Sequence, residues 1–140
     1  MSGTRYQATC VAIAGRGLMI EGPPGSGKSS LALALIDRGA VLVGDDGVTV
    51  ERDGDVVRAS PAPATAGLLE VRNVGLFAFP TLSNVRVALL VRLEPAAPRF
   101  RDVPDWLDRF GVRIPAIDLW PDSPILALRA EWALVRYGLR

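Results

Sequence analysis

Histidine is missing from this chain altogether. Its absence excludes histidine triads, histidine metal sites and histidine acid–base catalysis together. Cysteine occurs once, as Cys10 in an apolar stretch. One thiol cannot form an internal disulfide, so Cys10 is expected as a buried core side chain and the cytoplasm as the compartment. No apolar run reaches the ~20 residues of a membrane helix, and no leader segment is evident. An excess of one charge sign is lacking too: 16 basic residues meet 15 acidic ones, for a net charge of +1. Neither nucleic acid nor a membrane surface is therefore an expected partner. Aromatic residues make up only 6%. Trp106, Trp120 and Trp132 are widely separated, which reads as core or interface anchors rather than a platform for stacking bases.

Lysine also occurs only once, and its position matters. Lys28 lies in Gly22-Pro23-Pro24-Gly25-Ser26-Gly27-Lys28-Ser29, the pattern G-x-x-x-x-G-K-S of a phosphate-binding loop. Glycines let such a loop turn back on itself and let backbone N–H groups approach phosphate oxygens. Lys28 would set a compact ammonium on the β- and γ-phosphates of a nucleotide, where arginine's planar fork is no substitute. Ser29 would offer its hydroxyl to Mg²⁺, and a helix starting here would point its positive end at the phosphates. The nucleotide-binding set runs from Gly22 to Ser29 and adds Ser30.

The 140 residues are expected to form one α/β domain, residues 1–140, with 49% apolar and 22% charged residues. Residues 5–14 read as an opening strand, with a turn at Gly15–Gly17 and a second strand leading into the loop. Ser29 to Arg38 reads as a helix that Gly39 can end. Ala40 to Gly44 reads as a buried strand and runs into Asp45-Asp46, where α/β sheets bind ligands. Val48–Arg52 and Val56–Ala59 flank Asp53-Gly54-Asp55, a hairpin signal. Ser60 to Ala64 reads as an extended connection. Short apolar runs surround Arg72-Asn73, Val85–Leu93 is a strong strand, and Glu94–Arg101 a loop. Trp106–Phe110 reads as one or two helical turns, Val112–Leu119 as a strand interrupted by Pro115, and Pro124–Tyr137 as a helix.

Several ordered motifs resemble the catalytic domain of the HPr kinase/phosphorylase family. They are the phosphate loop, Ala32-Leu33, Asp37-Arg38-Gly39, Leu42-Val43-Gly44-Asp45-Asp46, Ala59 to Ala62, and Leu69-Glu70-Val71-Arg72-Asn73-Val74-Gly75, which is similar to that family's E-I-R-G-x-G signature. The resemblance covers roughly residues 7–95 and looks like the short form without an N-terminal domain. It implies a phosphate-loop kinase fold of the phosphoenolpyruvate carboxykinase type. It implies an ATP- and Mg²⁺-dependent protein-serine kinase acting on the phosphocarrier HPr, with reverse phosphorolysis in many members and a hexameric homo-oligomer. Carried onto this chain, Asp45 is the base that takes the serine proton, with Lys28 and Arg72 also catalytic. Arg72 would balance charge on the transferred phosphoryl group. Ser29, Asp46 and Glu70 are the metal-site residues.

The chain departs from the family pattern at Gln7, where the family has histidine, at Asn73, where the signature has glycine, and at Gly47. Leu119 to Ser123 stands in place of an arginine- and glycine-rich segment. Two other functions fit the same motifs: a nucleotide-sensing module with weakened catalysis, and a kinase for a different, small substrate.

Overall fold

The computed structural model describes residues 3–140. Among the described residues, eleven strands and two α-helices are arranged around one curled nine-stranded sheet. In chain order the strands are β1 (Thr4–Tyr6), β2 (Thr9–Ile13), β3 (Arg16–Glu21), β4 (Val41–Gly44), β5 (Val48–Asp53) and β6 (Val56–Pro61). They continue with β7 (Leu68–Val71), β8 (Gly75–Ala78), β9 (Val85–Leu93), β10 (Asp105–Arg109) and β11 (Val112–Leu119). Helix α1 is Lys28–Asp37 and α2 is Leu126–Tyr137.

The long strand β9 is the pivot. Its first two residues pair with β6, while its remainder runs parallel to β3 and β11. β2 lies antiparallel between β3 and β4. The valine- and leucine-rich runs are buried on both faces, as central strands require. Leu18, Ile20, Leu89 and Val91 pack against α1 and α2, whereas Cys10, Met19, Val43 and Val87 face the curled-over side with Val48, Val50 and Val57. Burial pushes the Cys10 thiol up to about 12. Gly39 follows α1 at φ 110, and its N–H donates to the Ile36 carbonyl, so it ends the helix as expected.

Five local expectations are corrected or narrowed. The opening strand breaks at Gln7-Ala8, so β1 pairs with β5 while β2 enters the sheet between β3 and β4. Ser60 to Ala64 is not simply extended: β6 runs through Pro61 and a 3₁₀ turn follows at Pro63–Thr65. Trp106–Phe110 is not helical. Asp105–Arg109 is a strand joined to β11 by a tight turn, with Phe110 at φ 57 and Gly111 at φ 77, the two positive angles of a hairpin turn. Pro115 does not interrupt β11; it stands opposite Trp106, one residue before pairing with β9 begins at Ala116, where a missing N–H is tolerated. Of the two roles expected for the tryptophans, core and interface anchors, exposures of 47%, 39% and 71% at Trp106, Trp120 and Trp132 exclude the core.

The C-terminal ends of β3, β9 and β11 lie side by side. The phosphate loop leaves from β3, and β4 delivers Asp45 and Asp46 two strands away. The separate hairpin β7–β8 carries Glu70 and Arg72; the buried Leu69 side chain anchors it to the core.

Candidate phosphate-binding and catalytic cleft

The loop turns early, where the Ser26 N–H donates to the Pro23 carbonyl at 3.1 Å. Gly25 and Gly27 adopt φ 78 and φ 101, and a Cβ at either would meet no atom within 4 Å. Glycine is thus required there by backbone conformation, and the space it leaves open faces the cleft. Gly27 also begins α1, whose N-terminus has no side-chain cap. The free N–H groups of the first turn and their positive end make an anion site.

Lys28 Nζ donates to the carbonyls of Gly22 at 2.8 Å and Pro23 at 3.1 Å. An ammonium has three donors, so one proton has no partner among the described residues. Ser29 Oγ donates to Asp45 Oδ1 at 2.7 Å, and Thr9 Oγ1 donates to the same oxygen at 3.0 Å. The Thr9 hydroxyl in turn accepts the Asp46 N–H at 3.3 Å. Asp45 is buried, whereas Asp46 is exposed and its backbone is left-handed at φ 55. Gln7 Nε2 donates to Asp46 Oδ1 at 3.2 Å.

A cleft of about 390 Å³ joins these parts. Its walls include Pro24, Gly25, Gly27, Lys28, Ser29, Ser30, Asp45, Asp46, Glu70 and Arg72. Gly22 and Pro23 stand behind it, where their carbonyls hold Lys28; Ser26 is turned under the loop, with its Oγ buried and unpartnered among the described residues. Glu70 and Arg72 are exposed on the facing wall and form no ion pair with each other. Thr9 joins the site without any motif in the sequence to mark it. Its one sequence signal is a hydroxyl inside the apolar run Ala8 to Ala12, and it is fully buried.

Next to the loop, Glu21 takes two hydrogen bonds from Arg109, at 2.8 and 3.1 Å, and one from the Tyr6 hydroxyl. Burial pushes the Glu21 carboxyl up, but the Arg109 and Tyr6 hydrogen bonds outweigh it and hold it below the ordinary carboxylate range. Burial and the neighbouring Glu21 raise the Tyr6 hydroxyl.

No group of three or more histidine, cysteine or carboxylate side chains suited to a metal occurs among the described residues. That does not conflict with Mg²⁺, which keeps several waters and takes one or two protein carboxylates beside substrate phosphates. The Ser29–Asp45 pair beside an anion-binding loop is a donor set of that kind.

The family model for the HPr serine kinase C-terminal domain matches residues 2–95. The chain belongs to that family. Among curated relatives, the HPr kinase/phosphorylase of Clostridium novyi is 42% identical over 97% of this chain and 49% of its own length. That of Clostridium beijerinckii is 39% identical over 78% of this chain and 37% of its own length. The chain thus spans about half or less of these relatives. A solved structure, the Hpr(Ser) kinase/phosphatase from Coxiella burnetii, superposes with a TM-score of 0.82 at 27% identity, covering 95% of this chain and 88% of that one. The α/β fold with its curled sheet is therefore that of a solved family member. No helix among the described residues is long and apolar enough to cross a membrane.

Proposed function

We propose that this chain is an ATP- and Mg²⁺-dependent protein-serine kinase whose substrate is the phosphocarrier HPr. One observation carries the reading: an anion-binding loop, its single lysine, a Ser29–Asp45 pair and a second, exposed aspartate all open into one cleft. Membership in the HPr serine kinase family and the names of its relatives support the choice of substrate.

The loop N–H groups and Lys28 bind and orient the β- and γ-phosphates of ATP. Ser29 and Asp45 would hold Mg²⁺, which compensates phosphate charge when bound. We assign the two aspartates the other way round from the reading by resemblance. In phosphate-loop enzymes the loop serine and an aspartate at a strand end share the metal, and Asp45 is the aspartate bonded to Ser29. Asp46 is exposed in the cleft and suits the base: it accepts the proton of the seryl hydroxyl as the new O–P bond forms and the bond to ADP breaks. Glu70 stays a candidate for a further metal or phosphate contact, and Arg72 faces the charge that spreads over the transferred group.

The finer fold type goes with this reading: a phosphate-loop kinase of the phosphoenolpyruvate carboxykinase type. So do a single catalytic domain over residues 1–140, a homo-oligomer, hexameric by resemblance, and a cytoplasmic location. Transfer of labelled phosphate from ATP to purified HPr tests it. Label on an HPr serine, lost in Lys28→Ala, is the expected result. ATP binding without transfer to HPr would leave the sensor or small-substrate reading in its place.

A further inference from the structure

Three parallel strands, β3, β9 and β11, end side by side, and two more grooves lie over their C-terminal ends. The first, about 370 Å³, starts at the entry of the phosphate loop and is bordered by Gly22, Pro23, Arg92 and Asp118. The second, about 300 Å³, is bordered by Arg99, Asp118, Trp120 and Arg129. Asp118 lines both, so the two adjoin at that side chain, and the first is bordered by the opening residues of the loop. In open α/β sheets ligands lie outside the carboxyl ends of the strands. The Ser29–Asp45 pair fixes the metal side toward β4. On the other side of the loop entry, the grooves over β9 and β11 offer room for the rest of a nucleotide.

The chemistry along this path is graded. Asp118 Oδ1 takes a 2.6 Å bond from Arg92 Nε, which fixes the carboxylate. Arg92 is held in turn by Asp105, at 2.8 Å, and Arg101 holds Asp105 at 2.7 Å. Asp118 Oδ2 makes no hydrogen bond among the described residues, so the residue that borders both grooves keeps an acceptor free. Beyond it, Trp120 is pinned by its Nε1–H, which donates to the Ala97 carbonyl at 2.6 Å, and Arg129 lies 5.4 Å from its ring centroid. A rigid indole that is 39% exposed beside two guanidinium groups is an aromatic and cationic surface of the kind bases stack on.

We propose that the nucleoside half of a nucleoside triphosphate lies along these grooves, with ribose hydroxyls on Asp118 and the base against Trp120. The inference rests on the nucleotide-binding role given to the phosphate loop. It assigns donor preference to residues outside that loop: a nucleotide gains contacts here that inorganic polyphosphate cannot make.

The test compares Mg-ATP with Mg-tripolyphosphate, which offers the phosphates alone. In the Trp106→Phe, Trp132→Phe protein Trp120 is the one remaining indole, and the proposed site is untouched. ATP should change its fluorescence and tripolyphosphate should not. Calorimetry should show ATP binding tighter by about tenfold or more, the worth of one base stack. Trp120→Leu and Asp118→Asn should each shrink that advantage while leaving tripolyphosphate affinity as it was. Equal affinity for the two ligands, with no change at Trp120, overturns the subsite and leaves the phosphate loop standing. An ATP advantage that survives both substitutions overturns it too. If neither ligand binds, the loop reading fails and this inference with it.

Discussion

Ser29 Oγ donates to Asp45 Oδ1 at 2.7 Å, so the residue closing the phosphate loop and the residue ending β4 share one hydrogen bond. Asp46, next in the chain, points its backbone through a left-handed angle and stays exposed. The two carboxylates therefore differ in surroundings, and their substitutions should differ in effect. Asp45→Asn can still accept from Ser29 and Thr9 but loses its charge; the Mg²⁺ concentration needed for half-maximal rate should rise steeply. Asp46→Asn should lower turnover by about a hundredfold or more, the worth of a general base, with little change in Mg²⁺ or ATP requirement. Initial rates across a Mg²⁺ series at saturating ATP separate the two. The opposite pattern would return the base to Asp45 and the metal to Asp46.

Lys28 holds its own loop closed through the carbonyls of Gly22 and Pro23. Lys28→Ala should remove phosphate stabilisation on the order of 2–4 kcal/mol. Lys28→Arg should not restore it, because a planar fork cannot sit where a point charge contacts two carbonyls 2.8 and 3.1 Å away. Calorimetric titration with Mg-ATP reads both variants. Wild-type affinity in Lys28→Ala would remove the loop from the nucleotide site.

Much of this was legible in the chain itself, for local reasons. The loop pattern, the apolar run ending in Asp45-Asp46 and the Asp53-Gly54 turn are each encoded within about ten residues. What was not legible is long-range. Thr9 and Asp45 meet across 36 positions, and Gln7 and Asp46 across 39, because β2 inserts between β3 and β4. No local pattern reports such a crossing. Strand β10 reads as helix in the sequence because Trp106, Leu107 and Phe110 are spaced as a helix face would be, over too few residues to show a period. Pairing with β11 decided it. Of the two roles read for Trp120, core or interface anchor, only its 39% exposure in the fold excludes the first.

The Glu21–Arg109 pair predicts how stability responds to acid. The pair holds the folded-state carboxyl of Glu21 below its ordinary value, and in the unfolded chain it returns to about 4.3. The resulting stabilisation is fully present above that ordinary value and is lost as pH falls through the depressed folded one. Arg109→Leu should cost about 2 kcal/mol at neutral pH, below the range for a fully buried pair because both side chains keep some exposure. The difference from wild type should shrink by pH 3, where Glu21 in the variant is protonated and no longer an unpaired buried charge. Urea unfolding at pH 7 and pH 3 measures it. A gap of constant size would show that Arg109 acts through packing alone.

Gln7 gives the last prediction. Its amide donates to Asp46 Oδ1 at 3.2 Å, at the position where the resemblance expects histidine. An amide cannot ionise, and no side chain in this protein has an ordinary pKa near neutrality. The forward rate should therefore stay flat from about pH 6 to pH 8, apart from titration of the nucleotide or of phosphorylated HPr. Gln7→His places an imidazole beside a carboxylate, which favours the charged imidazolium and raises its pKa above about 6.5. Below that point the imidazolium pairs with Asp46 and competes for the oxygen that must take the serine proton. The variant's forward rate should fall on the acid side, by an amount the wild type does not show. Phosphorolysis should be weak and insensitive to acid in the wild type, and should gain a limb near the histidine value in the variant. Initial rates against pH, in both directions and for both proteins, decide it. A pronounced transition between pH 6 and 7 in the wild-type forward reaction would require another titrating group in the cleft. It would also take the role of base away from Asp46.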